Sequence, residues 1–189
     1  TILKLRANQN VLLLMPASRP QELRYILPTF LKTAKKLQLR YPNLVVYIPS
    51  CSRAFDEKFR KAIEKYEIKG KVISQKDNPE LIPYVYSLTK LALCKSGTVN
   101  MELALYGIPQ IVGYRVSRIT AFIAKKILNF KVRYISPVNL LVKKFIIPEF
   151  VQKNFNEKKI FYKACSLLDL KSEKARINKG YALLKKELG

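Results

Sequence analysis

Ser96-Gly97-Thr98 ends the apolar run LALC (91–94), and a carboxylate, Glu102, follows four residues after Thr98. At a helix start several backbone amides lack acceptors and the dipole is positive, so an anion there gains about 0.3–1 kcal/mol before any specific hydrogen bond. Two hydroxyls add donors, and Gly97 lets the backbone come close to a phosphate. Glu102 shares the face of that helix start and is placed to accept from a ribose-like diol. A helix capped by Ser96 or Thr98, with a surface acid behind it, would read the same way. A second turn follows an earlier apolar run. In MPASRPQEL (15–23) the small residues Ala17 and Ser18 precede Arg19, whose planar guanidinium suits a diphosphate, and Pro20 opens a helix.

What is missing narrows the chemistry. The chain has no His, so Ser-His triads, His acid/base catalysis and His-ligated zinc are excluded within it. Asp56, Asp77 and Asp169 are the three aspartates and lie far apart, so no Asp-x-Asp clamp exists and anion binding is expected without a metal or cofactor. Cys51, Cys94 and Cys165 are scattered and in no Cys-x-x-Cys spacing, which reads as reduced, mostly packed thiols of a cytosolic protein. A net charge of +23 calls for an anionic partner, although Lys-rich codon drift produces the same excess. No apolar run approaches the roughly 18 residues of a membrane span, so any membrane contact is expected to be peripheral. The chain opens at Thr1 without an initiator Met and reads as the back half of something longer.

The elements that must position these turns alternate. Strand signals at VLLLM (11–15), LVVYI (44–48), KVIS (71–74), LALC (91–94), PQIVGY (109–114) and VRYI (132–135) are separated by helical patterns. In the helix from Pro20, Leu23, Leu27, Phe30, Ala34 and Leu37 keep one apolar face, with Lys32, Lys35, Lys36 and Arg40 opposite. Further helices are expected around 54–66, after Asn78-Pro79, from Thr98 and from about Ser117 to Asn129. The pattern predicts an α/β fold: a Rossmann-like open parallel sheet of about six strands with helices on both faces. A nucleotide-binding domain over 1–156 and a Lys-rich helical extension over 157–189 divide the chain. In such sheets ligands sit beyond the carboxyl ends of the strands, where both turns fall.

Three stretches in order, MPASRPQELRYILP, ALCKSGTVNMELALYGIPQIVGYRVSRITAFIAKK and SPVNLLVKKFIIPEFVQ, resemble the C-terminal half of lipid-A-disaccharide synthase over roughly residues 11–165. The resemblance implies one half of a two-domain GT-B glycosyltransferase. That enzyme class joins UDP-2,3-diacylglucosamine to 2,3-diacylglucosamine 1-phosphate by inverting transfer. Carried over by position, Ser18, Arg19, Ser96, Gly97, Thr98, Glu102, Asn139, Glu149 and Gln152 are implied to line the UDP-sugar site. Ala17 stands where the family usually has Gly. The family's acceptor-binding half and its proposed catalytic base belong to an N-terminal domain outside this sequence, so no catalytic residue is assigned here.

The segment RVSRITAFIAKKILNF (115–130) sets Val116, Ile119, Phe122, Ile123, Ile127 and Phe130 on one face, with Arg115, Arg118 and Lys125 along a flank. That pattern fits a helix packed on a sheet, or a helix lying on an anionic membrane; the resemblance implies a peripheral protein at the inner face of the cytoplasmic membrane, where the lipid substrates are. Another UDP-N-acetylglucosamine-using GT-B enzyme is the nearest competing reading. A nucleic-acid-binding domain is the competitor from another class, but the lysines are dispersed and no recognition motif for nucleic acid is present. A homo-oligomer stays open.

Overall fold

Strands of a parallel sheet covered on both faces must be apolar along their whole length. Val11–Leu14 and Leu91–Cys94 meet that demand and are fully buried. The computed structural model describes residues 10–17, 19–117 and 133–189. Strands β1 (Asn10–Met15), β2 (Leu44–Ser50), β3 (Gly70–Ser74), β4 (Thr89–Lys95), β5 (Gln110–Tyr114) and β6 (Glu149–Val151) form one sheet in the order β3-β2-β1-β4-β5-β6. Every neighbouring pair is parallel. The order reverses between β1 and β4, whose register sets Leu13 beside Ala92 and Met15 beside Cys94. A crevice therefore opens beyond Met15 and Lys95, at the topological switch point.

Helices α1 (Pro20–Arg40), α2 (Arg53–Lys65), α3 (Leu81–Leu88) and α4 (Val99–Leu105) connect the first five strands. α5 (Pro137–Val142) precedes β6, and α6 (Glu157–Asp169) and α7 (Lys171–Leu188) close the chain. Leu23, Leu27, Phe30, Ala34 and Leu37 of α1 are all buried, as the periodicity predicts. α6 packs on α1, and α7 packs on α5 and α6. Their Ile160, Ala164, Leu167, Ile177, Tyr181 and Leu184 belong to the same apolar cluster as the strands. Glu173 pins α7 to α6 through Lys163 at 2.8 Å and also meets Arg176 at 3.2 Å.

The sixth strand is not the expected one. Arg133 to Ile135 lie outside the sheet, and β6 is the short edge strand Glu149–Val151 beside β5. The physical reason is local: the Ile135 amide donates to the Glu149 carboxylate at 2.8 Å instead of to a neighbouring strand. The expected helix over 117–129 lies, apart from Ser117, outside the described residues. Among the described residues no helix is long and apolar enough to cross a membrane.

Candidate anion site at the sheet switch point

The crevice holds a cavity of about 230 Å³ lined from four strand ends: Met15 to Ala17 after β1, Pro49 and Cys51 around the end of β2, Gln75 after β3, and Lys95 to Val99 after β4. Ser96, Gly97 and Thr98 thus sit where the alternation placed them. Ala17 shares the wall with an ordinary backbone, since positive φ at non-glycine described residues occurs only at Glu67, Lys143 and Gln152. Its methyl therefore costs the turn nothing.

Neither hydroxyl of the turn caps α4. Asn100, fully buried, instead holds the turn from below: its Oδ1 accepts the Gly97 amide at 2.9 Å. Its Nδ2 donates to the Lys95 carbonyl at 3.2 Å and to Gln110 Oε1 at 3.1 Å. Gln110 in turn donates to the Asn100 carbonyl at 2.9 Å and to the Tyr181 hydroxyl at 3.1 Å, and that hydroxyl donates to the Ile108 carbonyl at 2.9 Å. A buried chain of hydrogen bonds thereby runs from α7 to the turn. Burial pushes the Tyr181 hydroxyl pKa up, against the Gln110 hydrogen bond. It raises the Cys94 thiol likewise, with Asn100 opposing, so Cys94 is an inert packed thiol. Cys51, in contrast, is exposed on the cavity wall, which departs from the expectation of mostly packed thiols.

What the turn leaves free decides what it can bind. Thr98 is exposed with no cap hydrogen bond from its side chain. The amides of Thr98 and Val99 have no acceptor among the described residues. Nothing stands within 4 Å of a Cβ built on Gly97, so the backbone there is open to a ligand. Ser96 is committed: its hydroxyl donates to the Ile135 carbonyl. Lys95 is committed too, paired with Glu22 at 2.6 Å.

The Ile135 segment is held by Glu149. That carboxylate accepts from the amides of Ile135 at 2.8 Å and Ser136 at 3.0 Å, from Ser136 Oγ at 2.6 Å and from Asn139 Nδ2 at 2.7 Å. Asn139 is fully buried; it also donates to the Ile147 carbonyl at 2.8 Å and accepts the Ile146 and Ile147 amides at 2.8 and 3.0 Å. Asn139 has no donor or acceptor left over, while Glu149, half-buried, keeps an oxygen that accepts only the Ile135 amide. Both residues, expected at the ligand, here clamp the 135–149 segment against Ser96. Gln152 follows β6 with φ of 51°, a left-handed backbone uncommon for a non-glycine residue, and its side chain has no hydrogen bond among the described residues.

The remaining expected residues lie elsewhere. Glu102 is exposed on α4 and does not line the cavity; its charge, after burial, raises the pKa of the Tyr86 hydroxyl. Arg19 is the exposed N-cap of α1 and lines a neighbouring cleft of about 440 Å³ with Arg24 and Arg115. A mostly apolar cavity of about 360 Å³ lies between, sharing Ser96 with the first and Tyr114 with the second. Ser18, Arg118 and Lys125 lie outside the described residues. Among the described residues no three His, Cys, Asp or Glu side chains gather as a metal site. Asn100, Gln110 and Tyr181 were missed by sequence reasoning. A polar Gln110 inside an otherwise apolar strand signal was the one available clue.

Comparison with known proteins adds the family. A model described as lipid-A-disaccharide synthetase matches residues 1–188. The lipid-A-disaccharide synthase of Prochlorococcus marinus is 45% identical over 187 residues, covering 99% of this chain and 48% of that protein. That of Gloeothece citriformis is 33% identical, covering 99% and 47%. The chain thus spans about half the length of these curated relatives. Among solved structures, the catalytic domain of a Helicobacter pylori cholesterol-alpha-glucosyltransferase superposes with a TM-score of 0.58 at 14% identity, covering 95% of this chain and 98% of that one. A Neisseria meningitidis UDP-GlcNAc 2-epimerase, bound to UDP-GlcNAc, gives 0.59 at 16% identity, covering 97% and 44%. These two share the Rossmann-like fold.

Proposed function

The chain belongs to the lipid-A-disaccharide synthase family, and from that premise we propose that it forms the UDP-sugar-binding half of an inverting hexosyltransferase of lipid A biosynthesis. The donor is UDP-2,3-diacylglucosamine and the acceptor 2,3-diacylglucosamine 1-phosphate. The observation that carries this reading is the turn at the β1/β4 switch point, with the Thr98 hydroxyl and the Thr98 and Val99 amides unengaged among the described residues, beside an open Gly97. Such donors match the charge that grows on a diphosphate leaving group as an acceptor hydroxyl attacks the anomeric carbon. They are held from beneath by Asn100 and from the side by Ser96, so little reorganisation accompanies reaction. Glu102, one turn into α4, accepts from the ribose diol, and Gln152 reaches the donor from the end of β6. Lys95 contributes little net charge because Glu22 neutralises it. The catalytic base and the main acceptor-binding surface belong to the other half of the enzyme, so this half binds without turning over. The protein works as a peripheral protein at the inner face of the cytoplasmic membrane, where its lipid substrates lie.

The test is calorimetry with UDP and AMP, each with and without EDTA. The reading expects UDP to bind more tightly than AMP and chelation to change nothing. Glu102→Ala should weaken UDP about tenfold and 2′-deoxy-UDP less, the value of one charged hydrogen bond. Equal losses for both nucleotides would show that Glu102 does not meet the ribose.

A further inference from the structure

The cleft beside the turn's cavity is walled by Arg19, Arg24 and Arg115, with Tyr25 and Tyr114. Its carboxylate, Glu22, is already taken by Lys95, and that ion pair joins the two cavities, Lys95 lining one and Glu22 the other. The three guanidinium groups have no carboxylate and no hydrogen-bond partner among the described residues. The residues beyond the described ones supply no carboxylate. Residues 118–132 contain Arg118, Lys125, Lys126 and Lys131 and not one Asp or Glu, and residues 1–9 contain no acid either. Three unpaired like charges around one cleft repel unless an anion settles among them. Guanidinium forks match phosphate oxygens two at a time. A dianionic phosphate monoester fits three such groups better than a singly charged diester does.

We propose that this cleft binds a phosphate monoester carried by the second substrate, so that this half of the enzyme holds part of the acceptor as well as the donor. The inference rests on the donor reading above, because the cleft is separated from the diphosphate turn only by the Lys95–Glu22 pair and the small apolar cavity. It also gives Arg19 a different ligand from the diphosphate expected from sequence.

The experiment titrates the chain with glucose 1-phosphate and with UDP by calorimetry, and measures flotation with phosphatidylcholine vesicles with and without phosphatidylglycerol. The variants are Arg24→Gln with Arg115→Gln, and a charge-matched control, Lys171→Gln with Lys185→Gln. Glucose 1-phosphate should bind alongside saturating UDP, and the arginine pair should lower its affinity at least tenfold more than it lowers that of UDP. Four outcomes overturn the proposal: no binding of glucose 1-phosphate, its displacement by UDP, equal loss in the lysine control, or an arginine-specific loss confined to phosphatidylglycerol vesicles. Failure of UDP to bind would sink the donor reading separately, with the glucose 1-phosphate arm still readable.

Discussion

Replacing Glu149 by Ala separates a clamp from a ligand contact. The carboxylate accepts four hydrogen bonds between 2.6 and 3.0 Å. After truncation Asn139 keeps its Ile147 partner and Ser136 Oγ can rotate, but the Ile135 and Ser136 amides lose their only acceptor among the described residues. A half-buried amide left unpaired costs about 1–3 kcal/mol, and water reaches this site in part, so a total loss of about 2–4 kcal/mol follows. For a domain of this size that is roughly 5–15 °C in Tm. Glu149→Gln keeps one oxygen and turns a donor toward an amide, and should cost about half as much. Urea unfolding monitored by circular dichroism gives the stability, and calorimetry the UDP affinity. The clamp account requires both to fall together, because releasing Ile135 frees Ser96. A Glu149→Ala protein within about 0.5 kcal/mol of wild type that loses UDP affinity would refute it and return Glu149 to the ligand.

Cys51 lines the turn's cavity while Cys94 is buried, so saturating UDP should slow iodoacetamide labelling of Cys51 several-fold, and Cys94 should stay unlabelled, as peptide mass spectrometry would report; equal labelling of Cys51 with and without UDP would argue against occupancy of that cavity. Gly113→Ala places a methyl 2.2 Å from the Phe155 ring, itself packed edge-on against Phe30, and should destabilise by about 1–3 kcal/mol in urea titrations. The Lys163 hydrogen bond, with burial opposing, holds the Glu173 carboxyl below its ordinary value of 4.5. A depressed carboxylate contributes stability that is present above its unfolded pKa and lost as pH falls through the folded one. Thermal melts should therefore drop more below about pH 4.5 for wild type than for Glu173→Gln, and parallel acid limbs would contradict this.

Strands β1, β2 and β4 were legible because a doubly covered parallel strand is a mostly apolar run, and α1 because its buried face repeats at helical spacing. β6 was not legible. Three half-buried residues at a sheet edge are too few to show a period, and the more apolar VRYI drew the assignment instead. The Ser-Gly-Thr turn could be placed because its position depends on local order alone. What its hydroxyls do could not, since Ser96 is engaged by Ile135, 39 residues away, and Gln110 by Tyr181, 71 residues away. Motif position likewise did not show that Asn139 and Glu149 clamp the 135–149 segment. Only their hydrogen bonds to residues up to 14 positions away show it.

The central claim, that a nucleotide diphosphate sits on the turn at the β1/β4 switch point, is tested most directly by titrating the ¹⁵N-labelled chain with UDP and following its backbone amides. The account predicts the largest shifts at Gly97, Thr98 and Val99, with smaller ones at Ala17 and Cys51, saturating at one equivalent. Shifts centred on the opposite rim, at Asn10, Tyr41 to Leu44 and Lys174, or none under saturating UDP, would contradict it.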